Sequence, residues 1–321
     1  MIDDCERRIL FLRKPKRLKP GDKIGIVSPA SPVPDGDLEL GIALLRERGY
    51  KVELGAHVLA RHESCDYLAG TDEHRAEDLQ KMLTRDDIDA VFCARGGYGS
   101  MKLFEMLDWN AISQRPKAFV GYSDITSLHT ALSKLGWVTF HSPMVSALPK
   151  LDDVSMQLFW DLLEKTDPVG ILPANSENMQ TIISGKAEGK LAGGNLTLLA
   201  QACGSKYAPN FRGKLVLIED VNGAVYHADR DLMQLRNASL LDEAEGFILG
   251  ALTGWEKHED DPPRNSPYRL WKEFFAPLGK PTLAGFPFGH VQNALSLPLG
   301  VRAVLDSTSR TLTLLECAVS E

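Results

Sequence analysis

Cysteine is scarce in this sequence and forms no recognisable framework. The 321 residues contain five cysteines, an odd number that is scattered along the chain without a C-x-x-C pair. This pattern is typical neither of a disulfide-stapled secreted domain nor of a zinc ribbon. It predicts a reducing compartment, the cytoplasm. The five are Cys5, Cys65, Cys93, Cys203 and Cys317.

Long hydrophobic runs are also missing. No apolar stretch approaches the roughly 20 residues that a membrane-spanning helix needs. Near the N-terminus the only apolar run covers residues 9–12, flanked by charged side chains. A signal peptide has a longer apolar region than this. We therefore expect neither a membrane span nor a secretory leader.

Positive charge is in deficit. Lysine and arginine number 36 against 43 aspartates and glutamates, a net charge of −7. Broad nucleic-acid binding usually needs a basic face, so it is not expected here. One basic run, residues 13–19, is compatible with a nucleic-acid arm, but the interpretation we favour is a solvated tail before the first strand.

The first half of the chain alternates short apolar runs with amphipathic stretches. The apolar runs 23–28, 88–94 and 117–122 predict buried strands, and the stretches 101–109 and 124–136 predict helices. Alternating strands and helices with continuously apolar strands are typical of a parallel sheet covered on both faces. The fold class predicted is therefore α/β.

The second half is less regular and follows a stretch rich in Pro, Asn and Ser. We interpret this stretch, residues 166–185, as a linker between an N-terminal domain (1–165) and a C-terminal domain (186–321). A chain of this length is comfortable for two domains. In the C-terminal domain the patterns predict strands at 213–220, 246–252 and 281–286, a helix at 226–238 and a terminal hairpin at 301–316.

Ser123 lies in the sequence GYSD, where a predicted strand turns into a helix. In a nucleophile elbow, a serine sits on such a turn and a small residue two positions earlier relieves crowding. Gly121 supplies that small residue, but Ile125 stands where a second glycine is usual. The alternative is that Ser123 caps the helix, as serine often does. This stretch alone favours the cap.

The glycine-rich sequence RGGYGS, residues 95–100, follows the strand predicted to end at Ala94. Glycines let backbone N–H groups converge on an anion beside a helix N-terminus. The spacing matches neither the P-loop nor the dinucleotide-binding fingerprint. A tight strand-to-helix turn and an oxyanion or phosphate cradle both remain open.

A nucleophilic serine needs a base and an orienting acid. His290 is the strongest candidate base, because FPFGH places it in an aromatic loop shaped by Gly and Pro, and His141 is its main rival. For the acid, Glu219 and Asp220 end an apolar strand, although both could instead begin a turn. No H-E-x-x-H motif and no cluster with metal-ligand spacing occurs.

These motifs occur together in a familiar order. They are GDKIGIVSPAS, ARGGYGSMKLFEMLDW, FVGYSDITSLHTAL, LAGGNLTLLAQACGS, LVLIEDVNGAVYHADRDLMQLR and GFPFGH. In this order, from about residue 18 to about residue 305, the chain resembles the LD-carboxypeptidase family of serine peptidases. The resemblance implies a flavodoxin-like parallel-sheet sandwich followed by a smaller α/β domain resembling a swivelling β-barrel.

The same resemblance implies a Ser-His-Glu triad divided between the two domains. Carried onto this sequence, Ser123 is the nucleophile, Glu219 the acid and His290 the base. The oxyanion hole would use the backbone N–H groups of Asp124 and of a glycine in RGGYG, most plausibly Gly97. No cofactor and no metal are implied.

The family's substrates suggest what this chain would act on. The expected reaction releases the terminal D-alanine of a murein tetrapeptide through an acyl-enzyme, in a cytoplasmic homodimer that needs neither nucleic acid nor membrane. The alternative is a microcin C-type immunity hydrolase that cleaves aminoacyl-nucleotide amides. Asn195 in GGNL is a weakly supported substrate-binding candidate. The stretch 251–263 departs from the simplest murein-type members, and Trp255 within it is expected to pack a loop rather than stack on a nucleobase.

Two other classes of protein remain as alternatives. A nucleotide- or flavin-binding α/β protein would use RGGYG as its phosphate loop and would be indifferent to Ser123→Ala. A two-lobed ligand-binding protein would normally be exported. Neither alternative explains why Glu219 and His290 occur where they do.

Overall fold

The first sheet carries the N-terminal half of the chain, in a computed structural model that describes residues 12–34, 36–254 and 267–321. It has six strands in the order β12-β5-β4-β3-β1-β2, parallel except for β12, which runs antiparallel to β5. The strands are β1 (Lys23–Val27), β2 (Lys51–Leu54), β3 (Ala90–Cys93), β4 (Ala118–Gly121), β5 (Thr139–His141) and β12 (Leu297–Leu299). The order 2-1-3-4-5 is the flavodoxin-like arrangement, so the predicted sandwich is confirmed.

Helices cover both faces of this sheet. Leu45 and Phe159 pack on one face, whereas Leu79 and Leu128 pack on the other. Side-chain caps begin the two longest of these helices: Thr71 accepts from the backbone of His74, and Asp152 from that of Ser155. The helices are α1 (Asp37–Glu47), α2 (Asp72–Thr84), α3 (Trp109–Ile112), α4 (Thr126–Lys134) and α5 (Asp153–Glu164).

The helix predicted at 101–109 is wrong. The chain forms a 3₁₀ turn at Ser100–Leu103, and the next helix, α3, begins only at Trp109. The Asp108 side chain accepts a hydrogen bond from the backbone N–H of Ala111. Because that cap starts a new helix, it separates α3 from the turn before it.

The second sheet has eight strands in the order β6-β14-β13-β8-β9-β10-β11-β7. Its centre, β8 to β11, is parallel, and the flanking pairs are antiparallel. Within the described residues it is open, with β6 and β7 at its two edges, so the expectation of a barrel-like domain is wrong. The strands are β6 (Gly170–Ile171), β7 (Gln180–Ile183), β8 (Lys186–Asn195), β9 (Lys214–Val221), β10 (Gly246–Thr253), β11 (Thr282–Ala284), β13 (Arg302–Asp306) and β14 (Thr311–Leu314).

The two faces of the second sheet are buried differently. Val216 and Phe247 pack beneath α6 (Leu196–Gln201), α7 (Val225–Asn237) and α8 (Pro267–Phe275). On the other face, Leu217 joins the apolar cluster that contains Phe140 of the first sheet. The two halves of the chain therefore share a continuous core.

The predicted linker is not free of regular structure, since β6 and β7 lie within residues 166–185 and belong to the second sheet. Strand β12, from the C-terminal half, completes the first sheet by pairing with β5. The division of the chain into 1–165 and 186–321 stays a prediction. Of the helices that the structure describes, none is long and apolar enough to cross a membrane.

Candidate active site

Ser123 lies at the sharp turn after β4. Its φ angle is 64°, a left-handed value that few residues other than glycine adopt. A 3₁₀ turn, Ser123–Ile125, leads directly into α4. A Cβ atom at Gly121 would lie 2.8 Å from Ile125 Cγ2, so a glycine is needed two residues before the serine. The backbone bends as a nucleophile elbow does, although Ile125 replaces the usual second glycine.

A chain of hydrogen bonds joins Ser123, His290 and Glu219. The Nε2 atom of His290 lies 3.0 Å from Ser123 Oγ, and its Nδ1 atom lies 2.7 Å from Glu219 Oε2. The backbone N–H of His290 donates to the same carboxylate oxygen at 3.2 Å. A carboxylate beside Nδ1 favours the tautomer with its proton on Nδ1, which leaves Nε2 free to accept the serine proton. Ser123 Oγ therefore faces a base, and it caps neither of the helices that follow.

Glu219 reaches His290 from a completely buried position at the end of β9. The approach depends on Gly289, whose φ angle is 80° and whose missing Cβ would lie 2.3 Å from Glu219 Oε2. Gly250 on the neighbouring strand leaves room for the Glu219 side chain in the same way. Gly289 belongs to the loop FPFGH, but its close approach to the Glu219 carboxylate was not predicted from the sequence.

His141, the rival base, is not hydrogen bonded to the serine. Its Nε2 atom lies 3.9 Å from Glu219 Oε1, and neither atom has a hydrogen-bond partner among the described residues. Burial, helped by the nearby His129 and His290 imidazoles, lowers the pKa of His141 to about 3. A neutral imidazole thus faces the second oxygen of the carboxylate, and the structure places His290, not His141, between the acid and the serine.

Aromatic rings pack against the two histidines near Glu219, His290 and His141. The Tyr122 ring lies 4.8 Å from that of His290 between centroids. Burial, followed by the charge of Glu219, raises the pKa of Tyr122 to about 12. Phe288 packs edge-on against His141, with 5.6 Å between ring centroids. Glu219 itself is fully buried, and an electrostatic interaction with His290 is stronger away from water.

Asp124 fastens the glycine-rich loop beside the serine. Its carboxylate accepts hydrogen bonds from the backbone N–H groups of Gly99 at 3.3 Å and Ser100 at 2.8 Å. The Ser100 hydroxyl donates to the backbone carbonyl of Asp124. Burial raises the pKa of the Asp124 carboxyl above its ordinary value, and the hydrogen bonds from Ser100 and Gly99 oppose that shift. From the sequence, only the backbone N–H of Asp124 was assigned a role, and these contacts of its carboxylate were not predicted.

Two glycines bring this loop close to the elbow. A Cβ on Gly96 would lie 3.0 Å from Ser123 Cβ, so the loop backbone passes directly beside the serine. Gly97 has a φ angle of 111°, and a Cβ there would lie 2.1 Å from Ser31 Oγ. The loop therefore runs where an oxyanion donor is expected. The assignment of the Gly97 and Asp124 N–H groups to that role stays a prediction.

Asn195 is buried, and its side chain is already engaged. Its Nδ2 donates to Asp220 Oδ1 at 2.8 Å, and its Oδ1 accepts from the backbone of Leu198 at the start of α6. Asp220 in turn accepts from the Thr197 hydroxyl, so it lies in a network separate from Glu219. Contact of Asn195 with a substrate stays a prediction. Trp255 and most of the stretch 251–263 lie outside the described residues.

No metal centre is found in the part of the chain that the structure describes: it contains no group of three or more His, Cys, Asp or Glu side chains that could hold an ion. The described side chains of Ser123, His290 and Glu219 place a serine, an imidazole and a carboxylate in one hydrogen-bonded line. Such a line is suited to nucleophilic acyl transfer.

Known proteins resemble the chain over nearly its whole length. The probable murein peptide carboxypeptidase of Bacillus subtilis is 35% identical over 316 residues, covering 96% of each chain. The structure of the Microcin C7 self-immunity protein MccF in its wild-type apo state superposes with a TM-score of 0.86 at 27% identity, covering 96% of this chain and 100% of that one. That of the muramoyltetrapeptide carboxypeptidase from Oxalobacter formigenes has a TM-score of 0.78 at 29% identity, covering 91% and 97%.

Two family models account for most of the chain. The LD-carboxypeptidase N-terminal domain matches residues 24–142, which include the Ser123 elbow and the glycine-rich loop. The LD-carboxypeptidase C-terminal domain matches residues 188–305, which include Glu219 and His290. The chain therefore belongs to the LD-carboxypeptidase family.

Proposed function

We propose that the protein is a serine carboxypeptidase that releases the terminal D-alanine of a murein tetrapeptide by cleaving an L,D-peptide bond. The observation that carries this proposal is the line of hydrogen bonds from Ser123 Oγ through His290 to Glu219, at 3.0 and 2.7 Å. A nucleophile, a base and an orienting acid in that order are the parts that covalent acyl transfer requires.

Each residue has a definite step. His290 Nε2 takes the proton of Ser123 as Oγ attacks the peptide carbonyl, and Glu219 stabilises the imidazolium that forms. Backbone N–H groups of Gly97 and Asp124 would bind the oxyanion. Loss of one such donor typically lowers the rate by about 10²–10³. His290 then protonates the leaving D-alanine, and a water molecule attacks the acyl-enzyme with His290 as base.

The site is divided between the two sheets of the protein. Ser123 follows β4 of the first sheet, whereas Glu219 lies near the carboxyl end of β9 in the second and His290 follows β11. The relative position of the two sheets therefore sets the Oγ to Nε2 distance. Because a displacement of about 1 Å can cost on the order of 10²-fold in rate, the shared core beneath the site contributes to catalysis as well as to stability.

Relatives support a murein peptide as substrate. They include a probable murein peptide carboxypeptidase at 35% identity and a murein tetrapeptide carboxypeptidase of Pseudomonas aeruginosa at 31% identity over 293 residues. The second candidate function is hydrolysis of an aminoacyl-nucleotide amide. It is favoured by the TM-scores near 0.86 with MccF, which has been solved in complex with aspartyl sulfamoyl adenosine.

The cellular setting follows from the proposed substrate. Hydrolysis of murein tetrapeptides by a cytoplasmic enzyme would serve the recycling of cell-wall peptides. The family resemblance further leads us to propose a homodimer. Sedimentation equilibrium of the purified chain would test it, since a monomer mass would contradict the proposal.

The decisive experiment is a mass-spectrometric assay with L-Ala-γ-D-Glu-meso-diaminopimelate-D-Ala, run beside an aminoacyl-adenylate amide. Wild type, Ser123→Ala and Ser309→Ala would be compared, because Ser309 is an exposed serine in the turn between β13 and β14. We expect wild type and Ser309→Ala to release D-alanine and Ser123→Ala to release none. Cleavage of the adenylate analogue alone would move the function to the second candidate. Equal turnover by Ser123→Ala would overturn the nucleophile assignment.

A further inference from the structure

A cavity of about 440 Å³ lies between the two halves of the protein, away from Ser123. Its walls include Lys134 at the end of α4, Trp137 just before β5 and Lys214 at the start of β9. Ser123 and Glu219, in contrast, lie at or near the carboxyl ends of β4 and β9. The cavity therefore lies near the amino ends of β5 and β9, and none of Ser123, Glu219 and His290 lines it.

Three lysines from three different elements line this cavity: Lys134 of α4, Lys190 of β8 and Lys214 of β9. Lys190 and Lys214 are register partners on adjacent parallel strands, so their backbones are fixed side by side. The lysines thus converge from both halves of the chain, which distinguishes the site from scattered surface charge.

Among the described residues, no carboxylate pairs with these lysines. None of the described lining residues is acidic, and none of the three lysines forms an ion pair with a described carboxylate. Glu188, two residues before Lys190 on the same strand, is paired with Arg302. In a chain whose net charge is −7, this is a local excess of positive charge.

The lysines are half-buried, which makes their mutual repulsion costly. Burial foremost, and then the charges of Lys190 and Lys134, lowers the pKa of Lys214 to about 8. Burial likewise lowers the pKa of Lys134. Partly buried like charges are normally paired or bound to a ligand, because an uncompensated charge is unfavourable away from water.

We propose that this cavity binds a small phosphate-bearing anion, at a site separate from Ser123, Glu219 and His290. Three lysines present point charges that suit the concentrated negative charge of a phosphoryl group. Thr130, Ser133 and Asn210 add polar side chains to the lining, and Trp137 and Phe211 add an apolar wall for the remainder of the ligand. The volume is within the range of ordinary small-molecule sites.

Calorimetric titration with inorganic phosphate and with pyrophosphate tests the proposal, with citrate as a carboxylate of similar charge and sodium chloride at matched ionic strength. The variants are Lys190→Gln, Lys214→Gln and their combination. Lys51→Gln, an exposed lysine on β2, is the matched control. Loss of one charge-assisted hydrogen bond is expected to weaken phosphate binding by roughly 10- to 100-fold.

Thermal unfolding supplies a second reading, because a ligand that binds only the folded state raises Tm. We expect pyrophosphate to raise the Tm of wild type and Lys51→Gln, and to leave the double variant unchanged. Without ligand the double variant should be at least as stable as wild type, since a repulsion has been removed. If it does not fold, Lys134→Gln at the helix end takes its place in both measurements.

Three results would overturn the proposal. If neither phosphate nor pyrophosphate produces binding heat or raises Tm, no such ligand binds. Undiminished pyrophosphate affinity in the variants would place the anion elsewhere on the protein. Tighter binding of citrate than of pyrophosphate would reject the phosphate class. The test measures binding alone, so its outcome is independent of the proposed peptidase activity.

Discussion

The Glu219 carboxylate passes so close to Gly289 that a Cβ on that glycine would lie 2.3 Å from Oε2. The same oxygen accepts from the backbone and from the ring of His290, the next residue. The glycine thus holds open the space through which the acid reaches the imidazole. Any side chain at position 289 must displace the carboxylate, the loop or both.

Gly289→Ala is therefore expected to disable the enzyme while leaving most of the fold intact. Displacement of Glu219 or His290 by about 1 Å predicts a loss of kcat on the order of 10²-fold. Steady-state hydrolysis of the tetrapeptide measures it, with circular dichroism to verify folding.

Gly279→Ala is the matched control, because Gly279 also has a left-handed φ angle, 66°, but nothing within 4 Å of its missing Cβ. It carries the same kind of backbone strain without the clash. Equal losses of kcat in the two variants would show that strain, and not the carboxylate contact, explains the effect.

Glu219→Gln tests the acid directly. A glutamine keeps the shape of the side chain but cannot stabilise the imidazolium, nor does it enforce the Nδ1–H tautomer of His290. We expect kcat to fall by roughly 10⁴-fold, as when a triad carboxylate is replaced by its amide. KM should change little. Glu188→Gln, on the exposed part of β8, should retain full activity, and activity of Glu219→Gln within tenfold of wild type would refute the role.

Asp124→Asn tests the attachment of the glycine-rich loop. The aspartate accepts two backbone N–H bonds, whereas an asparagine would turn an amide N–H toward one of those donors. Leaving one buried donor unsatisfied should cost about 1–3 kcal/mol of stability. It should also lower kcat, because the loop beside Ser123 moves.

Urea unfolding and steady-state kinetics on the same samples measure the effect of Asp124→Asn. Asp108→Ala, which removes the side-chain cap of α3, should lower stability without changing kcat. A destabilised Asp124→Asn enzyme with normal kcat would mean that the loop does not depend on this carboxylate for its catalytic position.

The stability of the folded protein should depend on pH, because two of its histidines are buried. Burial lowers the pKa of His129 to about 4 and that of His141 to about 3, below the ordinary value of 6.5. Between these values and 6.5 the unfolded chain binds more protons than the folded chain, so stability falls as pH drops through that window.

Long-range ¹H–¹⁵N spectra of the imidazoles provide the measurement. His129 and His141 should stay neutral from pH 8 to pH 5.5, whereas an exposed imidazole titrates near 6.5. Urea midpoints across the same range should decline toward acid. Protonation of either buried imidazole above pH 5.5 in the folded protein would contradict the prediction.

The residues predicted from sequence were those with strong local chemistry. Ser123 follows a strand, Glu219 lies near the end of one and His290 lies in a loop after another. A family resemblance could identify them together because their motifs occur in a fixed order. The sandwich was also predictable, since continuous apolar runs alternate with helical periods.

What could not be predicted depends on contacts between residues distant in the chain. The pairing of β12 with β5, the open second sheet and the convergence of Lys134, Lys190 and Lys214 leave no periodic trace in the sequence. The helix expected at 101–109 failed for one local and one distant reason, because Asp108 caps a new helix and the preceding turn is held by Asp124.

Strand β12 has a consequence for how the protein could be divided. It begins seven residues after His290, yet it is the outermost strand of the sheet that holds Ser123. A gene fragment ending before residue 186 would leave β5, whose residues are buried in the whole protein, as an unpaired edge, the kind of surface on which sheets aggregate. Residues 186–321 supplied in trans would cover that edge with β12 and also provide the imidazole of His290. We therefore expect fragments 1–185 and 186–321 to form the Ser123–His290 hydrogen bond only when both are present.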